Sequence, residues 1–173
     1  MLDNGTRKAP PTPPMQVPMQ SSLLIRWFGV AVALGGLCGG AFAQTSAQPR
    51  LDTITLSAGM QNIRAEVART PQQMMVGMMF RSEMGTHEGM LFAYDYPSIQ
   101  CFWMKNTLLP LSIAFIADDG SIVNIADMAP RSEQSHCSQR PVRLVLEMNQ
   151  GWFAKRGVKT GSRLTGTPFN AAK

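Results

Sequence analysis

Between residues 51 and 166 the apolar positions recur mostly at every second residue. Residues 51–56 alternate, with Ile54 and Leu56 against Thr53 and Thr55, and predict a strand. Ser57-Ala58-Gly59 turns the chain. Ile63, Ala65 and Val67 then alternate with Arg64, Glu66 and Ala68, predicting a second strand with one wet face. Thr70-Pro71-Gln72-Gln73 is a helix start, with Thr70 as cap, Pro71 in the first position and Gln73 reaching back. The short helix carries Met74, Met75, Met78 and Met79 and ends near Phe80-Arg81. Gly85 and Gly89 mark a loop before a strand at 90–94, and Tyr96-Pro97-Ser98 turns again.

The second half continues the pattern. Residues 100–105 predict a central strand. Residues 111–117 and 121–127 predict a hairpin across Asp118-Asp119-Gly120. Residues 128–138 have no period and hold Pro130, which predicts a loop. An apolar-rich strand follows at 142–148, a short helix or turn at 151–156 with Trp152 and Phe153 buried, and a last short strand at 163–166. Short strands with turns between them and one or two short helices predict a mainly β fold, a compact antiparallel barrel or sandwich. The pattern contains no internal repeat and no βαβ rhythm.

Ahead of this body the pattern is different. Residues 1–22 are Pro-rich and polar, with Met15 and Met19 as alternative starts to Met1. Arg26 then precedes an apolar run from Trp27 to Leu37, and Ala41-Phe42-Ala43 closes it. This reads as a secretory signal peptide cleaved between Ala43 and Gln44. The run is shorter than the roughly 20 residues of a spanning helix, so no membrane span is expected after cleavage. Lipid modification of Cys38 is disfavoured by the large Leu37 before it; an uncleaved anchor is the other alternative. The organisation expected is extension and signal at 1–43, a flexible linker at 44–50, one β-rich domain at 51–166 and a tail at 167–173. The expected location is periplasmic or secreted.

Composition narrows the class. A hydrophobic share of 45% with 16% charged residues is that of a globular chain plus an apolar segment. Of the formal net charge of +5, the part after residue 43 carries +3, from 13 basic and 10 acidic residues. That is too mild to argue for nucleic acid. Three cysteines and two histidines make a Cys/His zinc site improbable, and no metal or cofactor is expected. With Cys38 removed, Cys101 and Cys137 remain as an even pair in an oxidising compartment. A disulfide between them is favoured over two separate buried thiols.

Several stretches in order resemble a known family. They are Gly77-Met78-Met79-Phe80-Arg81, Gly89-Met90-Leu91-Phe92, Phe102-Trp103-Met104-Lys105-Asn106-Thr107 with Pro110-Leu111, and Pro141-Val142 through Leu146-Glu147. Together they resemble the prokaryotic domain-of-unknown-function family 192 over nearly all of residues 51–166. The resemblance implies a compact, mostly β single domain, often exported, without an established activity. It also implies a subgroup carrying both Cys101 and Cys137. The chain departs from the family pattern at Ser112 and at Gly161-Ser162, where acidic residues are frequent.

The stretch 101–111 is the best candidate for a site. It sets Phe102, Trp103 and Met104 beside Lys105 and Asn106, whose polar ends must reach a rim or a partner. On a strand, Trp103 and Lys105 share one face and Phe102 and Met104 the other. An indole can stack on a ring or sugar while Lys105 and Asn106 hold an anionic or carbonyl group. In the structural alternative Trp103 packs a core edge, Lys105 pairs with Glu147 or Asp95, and Asn106 serves a turn. Arg81 ends a helix, where a cation suits the dipole, and pairs with Glu83, Glu88 or a ligand. His136 is a further neighbour candidate. Met74, Met75, Met78, Met79, Met84 and Met90, with His87 among them, could hold Cu(I), though methionine also fills cores. Ser135-His136-Cys137 offers weak support for a Cys/His pair, and Asp118, Asp119 and Asp127 read as turn and strand-end residues. The leading reading is therefore a non-enzymatic, monomeric binding or accessory domain for a small molecule or envelope component. An envelope enzyme on a sugar-like or cell-wall substrate is the alternative, and Cu(I) handling a lesser one.

Overall fold

The computed structural model describes residues 45–169. The expected leader, with Cys38 and the Ala43/Gln44 cleavage point, lies outside the described residues. β1 (Thr53–Ala58) and β2 (Gln61–Ala68) pair antiparallel around the Gly59 turn. α1 (Pro71–Val76) begins with the predicted capping box, Thr70 accepting from the Gln73 N–H while the Gln73 side chain reaches back. It stops at Gly77, whose φ of 48° a side chain rarely adopts. β3 (Glu88–Ser98) follows, then β4 (Cys101–Phe102), β5 (Leu111–Ile116), β6 (Ile122–Met128), β7 (His136–Cys137) and β8 (Val142–Asn149). α2 (Trp152–Lys155) and β9 (Leu164–Thr165) complete the order.

Seven strands form one sheet in the order β6-β5-β8-β3-β2-β1-β9. The sheet curls until its ends meet at one corner. There the Ile122 N–H donates to the Ser162 carbonyl at 2.8 Å and the Leu164 N–H to the Gly120 carbonyl at 2.9 Å. The result is a mainly β half-barrel with two short helices. The pairing is antiparallel except between β2 and β3, which run parallel and are joined through α1. That crossover is the βαβ unit absent from the hydrophobic pattern. It was hidden because α1 is only six residues long, too short to show a helical period.

Two apolar clusters fill the two faces. One draws Leu56, Ile63, Leu91, Ile116, Ile122, Leu146 and Leu164 from all seven strands and is capped by Trp152 and Phe153 of α2. This is the inside of the curl. The other lies on the outer face, where Phe92, Ile113, Phe115 and Val145 are covered by Met78, Met104 and Phe102. β5 and β8 therefore have both faces buried, which explains their near-continuous apolar runs.

Two departures from expectation matter for the site. Only Cys101 and Phe102 of the expected central strand are extended in pairing; the chain leaves the strand at Trp103 and turns at Lys105-Asn106, with Asn106 at φ 56°. The expected loop at 128–138 contains β7, which pairs with β4 where Cys101 and Cys137 form a disulfide. A two-residue strand without a hydrophobic period leaves no trace in the pattern; the cross-link holds it. Residues of the expected linker are tied down as well. The Gln48 amide donates to the Gln73 and Gly77 carbonyls at 3.1 and 2.9 Å, and Arg50 reaches Glu66 at 2.8 Å.

Gly89 shows how closely β3 and β8 approach. A Cβ there would lie 2.4 Å from the Met148 sulfur and 2.6 Å from the Glu147 carbonyl oxygen. The carbonyl is backbone and cannot swing away. Gly89→Ala is therefore expected to destabilise the domain by about 1–3 kcal/mol through overpacking, measured by urea unfolding. A neutral effect would mean that the two strands separate more readily than their register implies.

Candidate functional site

The outer face carries a cleft of about 210 Å³ between the end of α1 and the 101–107 segment. One wall is Met74, Met75, Met78 and Met79. The opposite wall is Phe102, Trp103 and Thr107, with Cys101 beside them. Phe92 and Tyr94 of β3 and Glu147 of β8 form the remaining lining. The walls are fastened to each other by the Phe80 N–H donating to the Asn106 carbonyl at 2.9 Å. Both residues have positive φ, 62° and 56°, so a sharp turn on each side is what brings the walls together.

Glu147 is the unexpected member. Its register partners are Met90 on β3 and Ile113 on β5, so it projects to the outer face between two apolar side chains. It is only 4% exposed, and burial pushes its carboxyl up to about 8, with no cation or hydrogen bond drawing it down. Tyr94 stands near: burial raises its hydroxyl pKa, and the Glu147 charge adds to that. A site that sets a carboxyl, two hydroxyls and an indole N–H among apolar side chains is a recognised form of binding pocket.

The residues expected from the sequence are dispersed. Trp103 lines the cleft and is half exposed. Lys105 stands over the Trp103 ring, its Nζ 5.1 Å from the ring centroid, and pairs with Glu133 at 3.8 Å, not with Glu147 or Asp95. Asn106 occupies the left-handed turn and offers its backbone carbonyl to Phe80. His136 is half-buried in β7, its strand partner being Phe102. Arg81 is buried away from the cleft lining, its Nη2 donating to Glu66 Oε2 at 2.8 Å.

Of the methionines, four line the cleft, while Met84 borders a different hollow and Met90 is fully buried. His87 meets the Trp152 ring edge-on at 6.5 Å. Asp127 accepts from Ser112, whose hydroxyl also accepts from the Gly151 N–H at 2.8 Å. Ser112 thus links β5, β6 and the turn before α2, and Asp127 is occupied there.

A second hollow, of about 200 Å³, is charged. Arg50, Arg64, Glu66 and Glu88 surround it. Its groups answer one another: Glu66 takes Arg50, Arg81 and the Leu51 N–H, while Glu88 takes Arg64 and the Gly85 N–H. The Arg64 hydrogen bond, and after it that of Gly85, holds the Glu88 carboxyl below the usual range. This network fastens the incoming chain to β2 and β3, whereas Glu147 has no such partner. The cleft is therefore the stronger candidate.

The sequence did contain a signal for Glu147. It is a lone acid inside the apolar run Val142-Arg143-Leu144-Val145-Leu146-Glu147-Met148, where a strand covered on both faces has no solvated position for it.

Comparisons with known proteins agree with this architecture. The profile of the family DUF192, described as an uncharacterized ACR, matches residues 53–166. A crystal structure from Sinorhizobium meliloti 1021, of a protein with the provisional name of transcription regulator, is 36% identical with a TM-score of 0.63, covering 72% of this chain and 98% of that one. A protein of unknown function from Novosphingobium aromaticivorans DSM 12444 is 34% identical with a TM-score of 0.65, covering 72% and 94%. No curated protein matches. Among the described residues, no helix is long and apolar enough to cross a membrane, and no cluster of three His, Cys, Asp or Glu is arranged to hold a metal.

Two outcomes follow for stability. The folded state keeps the Glu147 proton up to about pH 8, whereas an unfolded glutamate loses it near 4.5. Between those values the folded chain binds more protons, so this group lowers stability as pH rises from 5 to 8. Glu147→Gln is expected to flatten that slope and to exceed the parent by a few kcal/mol at pH 8, in urea unfolding at pH 5, 6.5 and 8. Parallel curves would count against a buried, unpaired carboxyl. Arg81→Ala strips one partner from buried Glu66 and is expected to cost about 3 kcal/mol in the same assay. A loss under about 1 kcal/mol would mean that Arg50 and solvent compensate.

Proposed function

We propose, for a chain that belongs to the DUF192 family and so has a fold without an assigned activity, that the cleft beside Trp103 binds a small organic ligand. The observation that carries this reading is Glu147, a buried carboxyl without a cation or hydrogen-bond partner, in a cleft whose side chains are mostly apolar. Burying such a group destabilises the fold and gives nothing back inside it. A ligand that engages the carboxyl supplies the missing partner. Trp103 serves as the rim contact, and Lys105 and Asn106 as supports of that rim. Arg81 and His136 hold the surrounding structure.

The same proposal has the domain working in the periplasm or outside the cell. Support comes from the apolar run before Gln44 and from the Cys101–Cys137 disulfide, a bond that persists in oxidising compartments.

An enzymatic reading has one observation in its favour. A carboxyl with its pKa near 8 is a competent general acid at neutral pH, which an envelope enzyme acting on a sugar-like substrate would need. The cleft lining holds Glu147 as its single carboxyl, so the paired-carboxylate form of that chemistry lacks its second member. Binding is therefore the preferred function. Cu(I) on Met74, Met75, Met78 and Met79 is kept as one arm of the test.

The test is a thermal-shift screen of the purified protein with sugars, peptidoglycan fragments, small acids, amines and Cu(I). At a hundredfold excess over Kd a ligand adds about 2.7 kcal/mol, a shift of several degrees for a domain of this size. The shift is expected to disappear in Trp103→Ala. No shift with any class, or a shift that Trp103→Ala and Glu147→Gln both leave intact, would remove the cleft as the binding site.

A further inference from the structure

We propose that the cleft takes a primary ammonium carried on a small apolar stem, the cation seated against the Glu147 carboxylate with the stem along the methionine wall. The proposal rests on the ligand-binding reading above and names the class of ligand. It follows from the charge of the side chains that line the cleft. Phe92, Phe102 and Trp103 offer aromatic faces, which attract cations. The four methionines offer thioether sulfur, a weak acceptor and not a donor of protons. Tyr94 and Thr107 can turn hydroxyl oxygens inward, and Glu147 supplies the one group able to become an anion. No Lys, Arg or His stands among the lining residues, and the nearest cation the structure places at the rim, Lys105, is paired with Glu133, so an anionic ligand seated at Glu147 would meet only negative or neutral side chains.

At the rim the Trp103 ring already has an ammonium within cation–π distance. The ammonium of Lys105 rests 5.1 Å from the Trp103 ring centroid. Size points the same way. A cleft of about 210 Å³ is below the range of drug-sized pockets, so the stem must be short.

Proton balance then makes the binding measurable. Of the residues that line the cleft with Glu147, Tyr94 on β3 is the other one that titrates, Cys101 being disulfide-bonded; α1 brings Met74, Met75 and Val76, and the neighbour on β5 is Ile113. Glu66 lies two strands away in the same row with Met90 between, and is held by Arg50 and Arg81. Lys105 is turned to Glu133. At neutral pH the free carboxyl is protonated. On ligand entry its O–H bond breaks, the proton goes to solvent, and the carboxylate accepts hydrogen bonds from an ammonium that keeps all its own protons. A neutral carbonyl ligand would instead use the carboxylic acid as donor and would bind more weakly as pH rises.

Calorimetry of the purified protein distinguishes these. The probes are 2-phenylethylammonium and hexylammonium, their alcohols 2-phenylethanol and 1-hexanol, and 3-phenylpropionate, each at pH 6, 7 and 8 in two buffers of different ionisation enthalpy. Either ammonium is expected to bind more tightly than its alcohol, with affinity rising at least about tenfold from pH 6 to 8 and close to one proton released per ligand at pH 7. Glu147→Gln, shown folded by its thermal transition, is expected to lose the proton release and at least about tenfold in ammonium affinity. An affinity that falls with pH, or an alcohol that binds as well as its ammonium, overturns the ammonium assignment while leaving a ligand cleft in place. If no probe binds and the broader screen also yields nothing, the cleft reading falls with it.

Discussion

The fold turns on the position of β8. It pairs with β5 on one side and β3 on the other, and both of its faces are covered. Leu144, Leu146 and Met148 enter the curl, while Val145 meets the outer cluster. From Leu144 to Met148 a strand in that position has no solvated place for a charge. Every neighbour is set by its register: Gly89 must lack a side chain to pass β8, and Ser112 must reach Asp127 and the turn before α2. Arg143, near the start of the strand, reaches Asp118 at 2.6 Å, whereas Glu147 is buried without a cation, and it is Glu147 that lines the cleft.

Much of the fold was legible because its signals are local. The Thr70–Gln73 capping box and the Asp118-Asp119-Gly120 hairpin depend on side chains within a few residues of each other, and both form as read. Alternation located β1, β2, β5, β6 and β8 within a residue or two at most ends, because one or both faces pack on a core. The parallel β2–β3 pair was not legible. It depends on a long-range pairing, and its connecting helix is shorter than two turns. β7 escaped for a related reason, being a pair of residues held by a covalent link to a distant strand.

The site was legible only in part, and the difference is one of reach. Trp103 could be read as a ligand contact from its mixture of neighbours, with a core edge as the alternative. The partition of Trp103, Lys105, Asn106, Arg81 and His136 among a cleft, a turn, an ion network and a short strand needed the tertiary path. Lys105 and Asn106 sit in a turn, so the two-residue alternation that would have aligned them with Trp103 stops at Phe102. The carboxyl that matters comes from 44 residues beyond Trp103, on a strand whose burial on both faces only the sheet order reveals.

The hydrogen bonds of Gln48 bear on where the domain begins. Its amide finishes two carbonyls at the end of α1, Gln73 and Gly77, immediately behind the methionines that wall the cleft. The family match starts at residue 53, five positions later. A chain trimmed to that boundary would keep every strand of the sheet and still lose the brace on the cleft wall, together with the Arg50 contact to Glu66. The residues ahead of the family match therefore carry contacts of two kinds, a brace behind the cleft wall and a partner for buried Glu66, and a boundary drawn at residue 53 would cut both.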